Sequence, residues 1–121
     1  MSEKIWRQPT NRERGLIEKL LSVDFPGRND LRRQLDTAEV SDIDEVGSLR
    51  FLVSAPAATV ASRVATEAYY YDKEAVDFDP AVHILLHVVQ GKLHELEVYK
   101  DDGSSIERLP KDIDLAELRF Y

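Results

Sequence analysis

The sequence predicts an α+β fold: two N-terminal helices packed on an antiparallel sheet of about five strands in a meander. Two observations lead there. Apolar residues recur at helical spacing through the first third of the chain, and from Val40 onward the period changes to two. Helical and strand segments also fail to alternate, which removes the βαβ unit and with it a parallel sheet.

Thr10 opens the first helix. Glu13 stands three residues on, the spacing of a capping box in which each side chain satisfies the other's backbone N–H. Leu16, Ile17, Leu20 and Leu21 then make one apolar stripe, so a helix is expected over 10–22. Pro26-Gly27 marks the loop that follows, because proline fixes φ and glycine accepts a positive one. Asn29 is the expected cap of a second helix over 29–37, whose Leu31, Leu35 and Ala38 share one face. Ile5 and Trp6, ahead of the first helix, are expected to fold back onto the core.

Val40–Ile43 and Leu49–Val53 read as a hairpin turned near Gly47-Ser48. Arg63–Tyr71 alternates in a strand pattern that sends Tyr70 into the core and Tyr69 and Tyr71 to the opposite side. Val82–Val89 is apolar apart from His83 and His87, the composition of a central strand. Gln90-Gly91 offers a two-residue hairpin turn, and Leu93–Tyr99 returns as the last strand. The tail, with Pro110, Ile113, Leu115, Leu118 and Phe120, is expected to add a short helix or an edge strand.

A chain of 121 residues fits one domain, divided into an arm (1–9), a helical layer (10–38), the sheet (39–104) and a tail (105–121). Cysteine is absent, which excludes disulfides, thiolate metal sites and a cysteine nucleophile. No apolar run approaches membrane-spanning length and no signal-peptide core follows Met1, so a cytoplasmic protein without membrane association is expected. The net charge is −7, but it is uneven: residues 1–36 carry 8 basic and 6 acidic side chains, the remainder 8 and 17. That balance argues against nucleic acid, whose affinity comes largely from neutralising phosphates, and suits a basic protein partner steered by an acidic surface.

The hairpin at Gln90-Gly91 supports one geometric deduction. Straight pairing sets His87 against His94, Leu85 against Leu96 and His83 against Val98, with the three histidines on one side of the sheet. Ile84 then meets Glu97 and Leu86 meets Glu95, unless a bulge near Leu93 shifts the register. Facing imidazoles should resist double protonation. They could also share a metal ion, but the third ligand of a tight site is not assured on that face, so no metal and no cofactor is expected. The candidate binding residues are therefore His83, His87, His94, Tyr69, Tyr71, Arg63 and Glu67: imidazoles of one face, together with the aromatic and charged side chains of the neighbouring strand. Aromatic residues suit interfaces because they bury much area with few rotors.

Other chemistry fails on spacing, and no catalytic residue is assigned. Asp72, Glu74, Asp77 and Asp79 are rich in oxygen ligands, but the sixth position of a calcium loop, normally glycine, is Asp77. Arg28, Arg32 and Arg33 read as an exposed basic face. Ser54, Ser62 and Ser104 lie in no nucleophile elbow, and five scattered glycines build no phosphate loop.

Three segments together carry a resemblance: Asp24-Phe25-Pro26-Gly27-Arg28 with Leu31 and Leu35, Glu45–Phe51, and His83–Ile106. They are similar to a family of small bacterial proteins known only as a domain of unknown function. Members tend to have Asp-Gly at the turn where this chain has Gln90-Gly91, and Asp-Gly-x-Pro where it has Val76-Asp77-Phe78-Asp79-Pro80. The resemblance implies a bacterial, cytosolic source and transfers no activity and no site. The expected function is a non-enzymatic protein-binding module, monomer or homodimer, and specifically an immunity-like protein that neutralises a basic toxin or nuclease. The alternative is a small-molecule-binding or enzymatic domain using a histidine-lined cleft.

Overall fold

The computed structural model describes residues 4–60, 64–73 and 79–120, and of Val64 and Ala65 the backbone alone. Two helices, α1 (Asn11–Leu20) and α2 (Arg28–Thr37), precede strands β1 (Glu39–Asp42), β2 (Leu49–Leu52), β3 (Val64–Tyr70), β4 (Val82–Val89) and β5 (Lys92–Lys100). The tail contributes short 3-10 turns at Pro110–Asp112 and Leu115–Glu117 and a two-residue strand β6 (Arg119–Phe120). All strand pairings are antiparallel, so the α+β class holds.

The strand order, β1-β2-β5-β4-β3-β6, departs from the expected meander. β3, β4 and β5 do follow one another, but the β1–β2 hairpin joins the free edge of β5 and β6 joins that of β3. Residues 53–63 separate β2 from β3, too long a connection for a tight hairpin, so nothing local ties those two strands together. Among the described residues the sheet thus has six strands.

One face of the sheet is covered. Leu16, Ile17, Leu20 and Leu21 of the first helical segment and Leu31 and Leu35 of α2 pack with Val40, Leu49, Phe51, Ala68, Tyr70, Val82, Ile84, Leu86, Val88, Leu93, Leu96 and Val98. Tyr70 enters this layer as expected, and its hydroxyl donates to the Arg108 carbonyl at 2.7 Å. The capping box of α1 is present: Glu13 N–H donates to Thr10 Oγ1 at 3.1 Å, and Thr10 N–H to a Glu13 carboxylate oxygen at 2.8 Å.

Two expectations are corrected here. α2 begins at Arg28 with Gly27, not Asn29, at its N-cap. Gly27 has φ +88°, and a Cβ there would lie 2.3 Å from the Thr59 carbonyl oxygen, so backbone shape and close packing start the helix without a side-chain cap. The arm does not tuck into the core either: Ile5 is 80% exposed and Trp6 half-buried. Arg7 instead exchanges backbone hydrogen bonds of 2.9 and 2.7 Å with Val40, and its guanidinium grips Glu13 and Asp42. Backbone pairing at the sheet edge replaces apolar burial.

Two buried polar groups brace this layer. Gln34, on the buried side of α2, donates its amide to the Pro56 and Gly91 carbonyls at 3.0 and 2.8 Å and accepts the Leu93 N–H at 3.0 Å. β2 pairs with β5 only at Leu49–Leu96 and Arg50–Glu95, so Gln34 satisfies β5 beyond the point where β2 stops. At the other end of β5, Lys100 Nζ lies 3.1 Å from Asp72 Oδ2, both side chains buried. The same oxygen accepts the Glu107 N–H at 2.6 Å, which fastens the tail to the sheet. Burial pushes the Asp72 carboxyl up, but the Glu107 N–H and the Lys100 ammonium outweigh it and hold the group below the usual carboxylate range.

Candidate functional site

The other face of the sheet presents the residues that alternate with the core. The turn at Gln90-Gly91 forms as the sequence requires, both residues having positive φ (+53° and +77°). Val89 pairs with Lys92 and Val88 with Leu93, but the register then shifts, and His87 pairs with Glu95. His94 is the extra residue of a β-bulge. The expected cross-strand pairing of His87 with His94 is therefore replaced by His87 with Glu95. His83 faces Tyr99 rather than Val98, and Leu85 faces Glu97 rather than Leu96.

Burial explains the shift. Leu93, Leu96 and Val98 all belong to the core, and the odd step from 93 to 96 cannot be met by strict alternation. One inserted residue restores Leu86 to Leu96 and Ile84 to Val98, and it turns Glu95 and Glu97 away from the helices. The same odd spacing was the available signal in the sequence. β3 also shifts register beside β4, between Val64, opposite His87, and Thr66, opposite Leu86.

Two sets of side chains result. The first is an aromatic row across three strands, Tyr69–His83–Tyr99, each residue directly opposite the next. The His83 and Tyr99 rings stack at 5.0 Å with 12° between planes, Tyr69 lies tilted 6.2 Å from His83, and Tyr71 meets Tyr69 edge-to-face at 6.1 Å. Carboxylates border the row: Glu67 Oε1 is 3.4 Å from His83 Nδ1, and Asp101 Oδ1 is 2.5 Å from His83 Nε2. His83 itself is only 5% exposed, whereas Tyr99 is 38% exposed. Partial burial, then the carboxylates of Glu67, Asp101 and Glu97, push the Tyr99 hydroxyl up.

The second set lies toward β2. His87 Nε2 is 2.8 Å from Glu97 Oε1, and Arg50 donates to Glu95 at 3.1 Å. His87, Glu95 and Glu97 can each offer a donor atom within 4.8 Å of the others, all three half-buried. These are the residues among those described that could hold a metal ion.

The structure thus brings His83, Tyr69, Tyr71 and Glu67 together, places His87 in a separate carboxylate cluster, and leaves His94 half-buried at the bulge. Arg63 lies outside the described residues, as do Ser62, Glu74 and Asp77. Glu95, Glu97, Tyr99, Asp101 and Arg50 were missed, because the straight register put the glutamates on the wrong face. Clefts elsewhere, among Tyr71, Arg108 and Arg119 and between α1 and the loops at 45–47 and 109–111, are not lined by the histidines. No helix among the described residues is long and apolar enough to cross a membrane.

Residues 6–110 match a family described as Domain of unknown function (DUF6984). No curated protein and no solved structure matches the chain.

Proposed function

We propose, from the premise that this chain belongs to the DUF6984 family of domains of unknown function, that it is a non-enzymatic binding module whose open sheet face receives a basic protein partner. The observation that carries this reading is the in-register row Tyr69–His83–Tyr99 bordered by Glu67, Glu97 and Asp101. Aromatic faces attract lysine and arginine side chains through the ring quadrupole, and adjacent carboxylates complete the charge. Tyr99 is 38% exposed and Tyr69 and Tyr71 half-buried, a partly accessible aromatic surface that suits a protein contact. An acidic chain presenting such a face fits immunity-like neutralisation of a basic toxin or nuclease, where charge speeds encounter and aromatic anchors hold it.

The test is an NMR titration of the full chain with an arginine- and lysine-rich peptide, beside a glutamate-rich peptide of equal length. Amide shifts should concentrate at Glu67, Tyr69, His83, Glu97 and Tyr99, and should weaken with salt, since exposed charges are screened within about 10 Å at 0.1 M. Tyr99→Ala should cost about 1 kcal/mol of binding. Shifts confined to the helices, or equal for both peptides, would remove the reading, and tight binding to duplex DNA would count against it.

A further inference from the structure

We propose that the Arg50 end of the open face binds one divalent transition-metal ion through His87, Glu95 and Glu97. This does not rest on the partner reading, since it shares only Glu97 with that row and takes a different ligand. Strand pairing supplies the donors: Glu95 stands directly opposite His87, and Glu97 lies on the diagonal with Oε1 at 2.8 Å from His87 Nε2. The bulge at His94 removes a second imidazole from the pairing and delivers two carboxylates in its place. β3 breaks register at the Leu86–His87 step of β4 and β5 at the His87–Val88 step, so both irregularities flank His87, the kind that re-aims side chains at a site.

The geometry is within reach of coordination. Ligand bonds of about 2.0–2.2 Å in a tetrahedral site place donors about 3.4 Å apart. The three donor atoms already lie within 4.8 Å of one another, and both glutamates have rotatable stems that can close the set without moving a strand. Partial burial of all three leaves a fourth position to water. The Arg50 guanidinium holds Glu95 through Oε1 at 3.1 Å, an outer contact of the sort that orients a ligating carboxylate. Two carboxylates against one guanidinium leave negative charge for a dication. The imidazole selects zinc or a neighbouring transition metal over magnesium and calcium, which prefer all-oxygen sets.

Zinc chloride titrated into the metal-stripped full chain, followed by calorimetry and by the imidazole nitrogen resonances, tests this. Saturable one-to-one binding is expected, with His87 Nε2 moving on zinc addition and unmoved by magnesium at the same concentration. His87→Ala and Glu97→Gln should each weaken binding about tenfold or more, while Glu67→Gln should leave it unchanged. Absence of saturable zinc binding, or undiminished binding in the folded His87→Ala/Glu97→Gln double variant, would overturn the proposal. Should a variant lose the circular dichroism of the parent, the parent's His87 Nε2 decides alone, and a resonance that stays in place refutes the site. Zinc binding without peptide binding would sink the partner reading and leave this one standing.

Discussion

On the covered side of the sheet, Ile84, Leu86 and Val88 of β4 meet Val98, Leu96 and Leu93 of β5 beneath two helices, and every one of these side chains is buried. On the open side, the residues between them meet in the same strands and the same order, yet the pairs are His83–Tyr99, Leu85–Glu97 and His87–Glu95. The covered side is largely apolar, and Gln34 and the Asp72–Lys100 pair are held there by partners from distant parts of the chain. The open side gathers imidazoles, phenols and carboxylates. The comparison teaches that the core sets the register and the candidate site inherits it: the bulge serves Leu93, Leu96 and Val98, and the histidine–carboxylate cluster is what lands opposite.

The sharpest way to break the comparison is to place the same charge on each side at adjacent positions. Leu86→Asp should unfold the protein, because an unpaired charge at a fully buried position costs several kcal/mol, comparable with the whole stability of a small domain. Leu85→Asp, one residue away and half-buried between Glu67 and Glu97, should cost only about 1 kcal/mol through like-charge crowding. Urea melts of the two variants check this, and equal losses would show that the open face is as closely packed as the core.

Next in size is the charged exception on the covered side. Asp72→Asn should cost about 3 kcal/mol at neutral pH, because it leaves the Lys100 ammonium buried without its counter-charge. The pH dependence has a definite sign. The folded-state pKa of Asp72 is lowered, so its contribution is present above the ordinary carboxylate range of about pH 4 and is lost as pH falls through the lowered value. The gap between parent and variant should therefore be constant from pH 7 to about pH 5 and close in stronger acid. Denaturant midpoints measured across that range test the sign, and a gap that widened in acid would contradict it.

Smaller again is Gln34→Leu, which keeps the bulk but orphans the buried Leu93 N–H and takes a donor from Pro56 and Gly91. A loss of about 2 kcal/mol is expected. Amide exchange should accelerate at Leu93 while the amides of β1 and β2 keep their protection; uniform acceleration would mean that Gln34 holds more than the end of β5.

Much of this architecture was legible along the chain. Thr10 and Glu13 specified a helix start by chemistry confined to four residues, and Gln90-Gly91 specified a turn by backbone conformation alone. Tyr70 inward with Tyr69 and Tyr71 outward followed from the period of two, and β4 ran over the expected residues, Val82–Val89. The candidate site was legible only in part. His83, Tyr69 and Glu67 were found, because they lie on strands whose facing could be read locally. Glu95 and Glu97 were not, because their facing depends on one inserted residue three positions beyond a correctly placed turn.

The sequence by itself therefore determined the two helices and five main strands, the cap of α1, the Gln90-Gly91 turn, and which residues of β3 and β4 share a face, since each follows from contacts within a few residues. The tertiary structure decided the rest: β2 beside β5, the bulge at His94, the arm paired to Val40, and the joining of Asp72 to Lys100 across the sheet and to the tail. Those features depend on which apolar side chains the helices must cover at once and which buried polar atoms must find partners far along the chain. Period and composition express a preference for burial, but a one-residue register shift is settled only when Leu93, Leu96 and Val98 compete together for the same core.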